Sequence, residues 1–140
     1  MNKKLTLSKI ALLILISSAS FAADNHLVAK QTAPSGVTYI AGGVSEEQSQ
    51  QFAQLKPQFN TQFTFAEQGS GAYLADIKVN IVNTENKTVL DTLVPGPFLY
   101  VNLPNGTYIA NVSDENQTQR FKFKIASGQK TVHSFYFKQP

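Results

Sequence analysis

The chain contains no cysteine. That excludes a disulfide framework, a thiolate nucleophile, a cysteine-ligated metal site and a lipid-modified cysteine at a processed N-terminus. Tryptophan is also absent, and there are two histidines, His26 and His133. Acid–base, nucleophilic and metal chemistry all need clustered titratable side chains. Charged residues make up only 15% of this chain, so a catalytic centre has little to be built from. A long apolar run is missing too. Ile10 to Ile16 is uninterrupted, whereas crossing about 30 Å of hydrocarbon takes roughly 20 apolar residues.

That short run has a different meaning in its context. Lys3, Lys4 and Lys9 precede it as a positive n-region, and Ser17-Ser18-Ala19-Ser20-Phe21-Ala22 follows with small residues, Ser20 and Ala22 standing at −3 and −1 of a peptidase site. Residues 1–22 therefore read as a cleaved bacterial signal peptide. The expected location is the periplasm or the secreted fraction, with no transmembrane anchor after processing. The formal net charge of +3 belongs to this segment. Three of the 12 basic residues leave with it, so that nine basic and nine acidic residues remain. A neutral mature chain gives no electrostatic reason to expect a nucleic-acid partner. Arg120, Lys122 and Lys124 alternate as the solvent face of a strand does.

Removing 22 of 140 residues leaves 118, the size of one domain. Residues 23–43 read as a flexible leader, in which Val37 to Ala41 makes a short strand or extended arm and Gly42-Gly43 breaks it. Residues 44–58 read as a short helix and linker. Ser45 is placed to cap the helix, Gln48 to complete a capping box, and Glu46 and Glu47 to meet the positive end of its dipole; Pro57 stops it. Adjacent residues on a helix point about 100° apart, so Glu46 and Glu47 do not form a working carboxylate pair.

From Phe59 the apolar period becomes two. Phe59, Thr61, Phe63 and Phe65 share one face, as do Ile77, Val79 and Ile81. The same holds for Leu99, Val101 and Leu103, for Tyr108, Ala110 and Val112, for Phe121, Phe123 and Ile125, and for His133, Phe135 and Phe137. Turn residues separate these sets, among them Pro95-Gly96-Pro97, Pro104-Asn105-Gly106 and Ser127-Gly128. Apolar-in, polar-out alternation repeated this way predicts an all-β protein, an antiparallel Greek-key β-sandwich of about seven strands over residues 59–138.

Ile77-x-Val79-x-Ile81, the stretch Leu103-Pro104-Asn105-Gly106-Thr107-Tyr108-Ile109, and Ile125-Ala126-Ser127-Gly128 carry a resemblance to carboxypeptidase regulatory-like, or transthyretin-like, domains. These show an L-P-x-G-x-Y turn between two strands. Gly42-Gly43, Glu46-Glu47, Phe65-Ala66, Gly71 to Asp76 and Gly96-Pro97 extend the likeness to small exported bacterial proteins of that type. The resemblance implies a Greek-key sandwich, usually without enzymatic activity. Physics gives the turn its own reasons: Pro104 presets φ, and Asn105-Gly106 tolerates the positive φ of a hairpin. Tyr108 points inward, and its hydroxyl needs a partner, which upstream backbone in a tyrosine corner would supply.

Relatives of this fold that hydrolyse a purine-derived ring use several histidines and a C-terminal Tyr-Arg-Gly-Ser; this chain ends Phe137-Lys138-Gln139-Pro140. An iron dioxygenase on a similar sandwich needs two histidines and two tyrosines together, and the domain itself has one histidine. A Ser134–His133–Asp91 triad can be written down, but no G-x-S-x-G turn surrounds any serine. No catalytic residue, cofactor or resident metal is therefore expected. Cleavage after Ala23 would free Asp24-Asn25-His26 to hold Cu(II) or Ni(II), but at the cost of Phe21 at −3.

Binding is the remaining class. The loop Glu67 to Tyr73 is glycine-rich and ends in an aromatic. Phe98 and Tyr100 lie on the face of their strand opposite Leu99 and Val101. If that face is open, Tyr73, Phe98 and Tyr100 form an aromatic surface for a protein, peptide or glycan partner; if not, the helix covers it through Phe52 and Leu55. The expected function is an exported interaction or scaffolding module. A carbohydrate- or peptide-binding domain is the alternative, and a hydrolase a more distant one.

Overall fold

A computed structural model describes residues 27–140. The expected signal peptide and the Asp24-Asn25-His26 segment lie outside the described residues. The described residues form nine strands: β1 (Gln31–Thr32), β2 (Thr38–Gly42), β3 (Thr61–Glu67), β4 (Ile77–Asn83), β5 (Thr88–Val94), β6 (Phe98–Asn102), β7 (Gly106–Ser113), β8 (Thr118–Ile125) and β9 (Thr131–Phe137). Helix α1 (Glu46–Leu55) and a 3₁₀ turn (Lys56–Gln58) stand between β2 and β3. The strands make a five-stranded sheet in the order β1-β2-β6-β3-β9 and a four-stranded sheet in the order β5-β4-β7-β8.

Between these sheets lies one aromatic-rich core, to which Phe63, Phe65, Ile77, Val79, Ile81, Leu99, Val101, Ala110, Val112, Phe135 and Phe137 contribute side chains. The Phe63 ring meets Phe135 edge-on at 5.1 Å and Phe123 at 5.6 Å. Burying a side chain of this size contributes about 1.5–3 kcal/mol.

Three features differ from the sequence reading. First, residues 31–42 are not a free leader. Strand β2 pairs along its whole length with β6, Ile40 opposite Tyr100, and β1 closes that edge. Second, β5 was hidden because its apolar residues do not alternate. Ile81 pairs with Leu90 but Val82 pairs with Thr88, so Val89 is the extra residue of a bulge. Third, the sandwich is not wholly antiparallel, because β9 runs parallel to β3. The chain leaves β8 in one sheet and enters β9 in the other, so β9 takes its direction from that crossing and not from a hairpin with β3.

The Pro104-Asn105-Gly106 turn also bridges the sheets. It joins β6 to β7, which lie in different sheets, and so it is an arch and not a hairpin. Asn60 holds its start: its side-chain oxygen accepts from the Leu103 N–H at 3.0 Å, and its Nδ2 donates to the Leu103 carbonyl at 2.8 Å. Asn105 Nδ2 reaches Ser127 Oγ at 3.1 Å. The Tyr108 hydroxyl donates to the Pro104 carbonyl at 2.7 Å, and burial raises its pKa above the usual tyrosine value. Tyr108→Phe should therefore lower stability by about 1 kcal/mol, the usual net worth of such a bond. Urea denaturation will measure it; an unchanged midpoint would mean that the bond does not hold the arch.

Candidate functional site

The outer face of the five-stranded sheet carries a second apolar cluster of Ile40, Phe52, Phe59 and Tyr100, flanked by Val28, Leu55 and Phe98. Helix α1 is held there by its own side chains. Ser45 Oγ accepts from the Gln48 N–H at 3.2 Å, as an N-cap does. The Gln48 side chain does not close the expected capping box on Ser45. Its Oε1 accepts instead from the Gly43 and Val44 N–H groups, at 3.1 and 3.2 Å. Ser49 Oγ donates to the Gly43 carbonyl at 3.1 Å. Gln51 clamps the entering chain, accepting from the Val28 N–H at 2.8 Å and donating to its carbonyl at 2.7 Å.

Close backbone approach sets where Phe98 sits. The Pro95-Gly96-Pro97 segment crosses the end of β2, and a Cβ at Gly96 would collide with the Gly42 backbone. Gly43, at φ +96, lies so near the Phe98 ring that a side chain there would displace it. Phe52 then packs on both aromatics of β6, edge-on to Tyr100 at 5.0 Å and tilted against Phe98 at 5.5 Å.

The glycine-rich loop forms the opposite wall. It folds back on β3: the Glu67 N–H donates to the Ala72 carbonyl at 2.7 Å, the Gly71 N–H to the Glu67 carbonyl at 3.0 Å, and the Leu74 N–H to the Phe65 carbonyl at 3.0 Å. Tyr73 is thereby bridged to Ala66 and stands edge-on to Phe98 at 5.3 Å. Between this loop and α1 lies a groove of about 470 Å³. Thr64, Ala66, Phe98, Tyr100, Ser134 and Tyr136 supply its floor from β3, β6 and β9, and Ser49, Phe52, Ala53, Lys56, Gly71 and Tyr73 its walls. Among the described residues its lining contains hydroxyls, aromatic rings and one ammonium group, but no carboxylate or histidine.

The structure thus brings Tyr73, Phe98 and Tyr100 together, in unequal roles. Tyr73 is 63% exposed, Phe98 is half-buried, and Tyr100 is 6% exposed. Tyr100 is not an open contact residue. The helix covers it, and burial, with Tyr73 nearby, raises its pKa above the usual value. Tyr136, 53% exposed, joins the groove although sequence reasoning passed it over. Alternation marks it only as outward-facing; the β3–β9 pairing is what sets it beside Ala66.

The candidate hydrolytic residues are not assembled. His133 and Ser134 are neighbours on β9 and point to opposite faces. Asp91 lies on β5, at the far edge of the other sheet from β8. His133 packs against β8 instead, its ring stacked on Phe121 at 3.9 Å and edge-on to Phe135 at 4.6 Å. Among the described residues no group of three or more histidines and carboxylates converges as a metal site would. No family model matches the chain, and no curated protein matches it.

Burial holds the His133 pKa below its ordinary value of 6.5. The unfolded chain therefore takes up this proton first as pH falls. Stability should be full above about pH 6.5 and fall below it, toward the lower folded-state pKa. Compared with His133→Phe, which keeps the aromatic stack, the wild-type protein should lose more stability between about pH 7.5 and 5.5. Equal losses in the two proteins would show that His133 does not sense its burial.

Proposed function

We propose that this chain is an exported, non-enzymatic interaction module, a Greek-key sandwich of the carboxypeptidase regulatory-like or transthyretin-like type, which meets a protein partner through the groove on its outer sheet face. The observation that carries this reading is the placement of Tyr73. The residue is 63% exposed, yet its backbone is tied to β3 on both sides and one edge of its ring packs on Phe98. Holding a large apolar ring in water has no folding benefit, whereas a fixed aromatic loses little entropy when a partner covers it.

Export is supported by the Lys3–Lys9 n-region, the Ile10–Ile16 run and the small residues ending at Ala22. The Greek-key reading draws support from the β4–β5 and β7–β8 hairpins and the β4–β7 pairing that joins them. Among the described residues no helix is long and apolar enough to cross a membrane. A glycan reading is less favoured by the lining, because carboxylate and amide side chains can accept from and donate to sugar hydroxyls and, among the described residues, the groove presents neither.

A photo-crosslinking amino acid in place of Tyr73, in the exported protein within its own cell envelope, should yield a discrete protein adduct. The same group in place of Glu85, on an exposed turn of the other sheet, should not. Adding Phe98→Ala should abolish the adduct. Equal labelling from both positions would contradict the groove as the contact site.

A further inference from the structure

We propose that the partner is an extended peptide segment that adds to the open edge of β9 as a sixth strand of the five-stranded sheet, laying an apolar side chain into the groove. This rests on the groove being the contact site, and it names what the groove takes.

Backbone geometry comes first. The Thr131 N–H donates to the Asn60 carbonyl and the Phe137 carbonyl accepts from the Gln68 N–H, both at 2.8 Å. In a parallel ladder of this register the odd-numbered residues of β9 bond to β3. Val132, Ser134 and Tyr136 therefore turn their N–H and C=O groups away from the sheet. Among the described residues, just one of these groups has a protein partner: the Tyr136 carbonyl accepts from Gln119 Nε2 at 2.6 Å. A side-chain amide thus already occupies one acceptor that a neighbouring strand would use.

Edge strands are normally blunted by charge, proline, bulges or brevity. The other edges here follow that rule. Strand β1 has two residues. Strand β5 carries Asp91, and its Val89 carbonyl takes the Ser35 hydroxyl at 2.6 Å. Strand β8 presents Arg120, Lys122 and Lys124 on alternate positions. Strand β9, Thr-Val-His-Ser-Phe-Tyr-Phe, has no acidic residue, lysine, arginine, proline or glycine. Its outer face exposes Val132 at 64% and Tyr136 at 53%.

The two observations meet at the groove. Ser134 and Tyr136, on the outer face of β9, form its open side. A strand paired to β9 places alternate side chains on that same face, beside Ser134 and Tyr136, from which a long aromatic side chain leans over Ala66 into the groove. Tyr73 and Phe98 close the far side of the groove, in the lane of β6, three strand spacings or about 14 Å from the added strand. Lys130 and Lys138 stand exposed at the two ends of β9. The fitting partner is thus aromatic or aliphatic at alternate positions and acidic at its ends, read by main-chain hydrogen bonds as other strand-addition complexes are.

The test uses the isotope-labelled mature protein and the probe peptide acetyl-Glu-Thr-Val-Thr-Tyr-Thr-Val-Glu-amide. Two further forms carry N-methyl groups on one or the other alternate set of its amides. Amide exchange at Val132, Ser134 and Tyr136 should slow by about tenfold or more on saturation with the probe, while His133 and Phe135, already bonded to β3, should not change. One N-methylated form should fail to protect. Ser134→Pro, which removes an outward N–H and leaves the β3 ladder intact, should weaken binding by about tenfold; Val132→Lys serves as a second variant if that one does not fold.

Shifts at Tyr73 and Phe98 without protection of the β9 amides would overturn strand addition and leave the groove reading standing. The same shifts on adding a chitin hexasaccharide in place of the peptide would overturn both strand addition and the protein-partner reading, leaving only the groove as the contact site. Protection that grows with protein concentration in the absence of probe would assign the edge to a second copy and overturn the peptide. No change at Tyr73, Phe98 or β9 would overturn both readings.

Discussion

Strand β6 is apolar on both faces, and the outer half of the molecule is arranged to satisfy it. Leu99 and Val101 enter the core between the sheets. Phe98 and Tyr100 face the other way and require a second cover. A sandwich sheet ordinarily leaves its outer face to water. Here Phe52 of α1 fills that role, in contact with both rings. The helix must then lie across β6, and this requirement accounts for the positive φ at Gly43, the tight crossing at Gly96 and the Gln51 clamp on Val28.

The groove is the remainder of that packing. A helix of ten residues covers β6 but not the whole five-stranded sheet. Past Phe52 and Ala53 the floor of β3 and β9 stays uncovered. The glycine-rich loop, tied to β3, raises Tyr73 as the facing wall. Gln62 sits under the helix end, 3% exposed, its Nε2 donating to the Lys56 and Phe59 carbonyls and so fixing the 3₁₀ turn that carries Lys56 to the groove. The aromatic rings stand on fixed elements, beside a strand edge that carries no acidic residue, lysine, arginine or proline and on which Gln119 already bonds the Tyr136 carbonyl.

The sequence made much of this legible. The inward sets on β3, β4 and β6 to β9 are visible as period-two alternation, except that Phe59, ahead of β3, packs in the outer cluster with Phe52 and Tyr100 and not with Phe63 and Phe65. Ser45 and Gln48 mark the helix start. The Tyr108 bond to upstream backbone follows from an inward tyrosine that needs a partner. What stayed hidden depends on pairing across long separations. Val89 disguises β5 because a bulge breaks the period, and the parallel register of β9 follows from a crossing that leaves no local mark. Asn60 looks like any polar residue of a strand until Leu103 is set beside it. For Phe98 and Tyr100, alternation tells which face they occupy, but not that a helix covers one far more than the other. Tyr136 looks like an ordinary solvent-face residue unless β9 is known to border β3.

The dependence of the outer face on one ring can be measured directly. Phe52→Ala should lower the free energy of unfolding, followed in urea by tyrosine fluorescence, by about 3–5 kcal/mol, the cost of emptying a packed aromatic site. A loss below about 1 kcal/mol, as for a substitution on a loosely attached surface helix, would contradict the claim that α1 is the structural cover of β6.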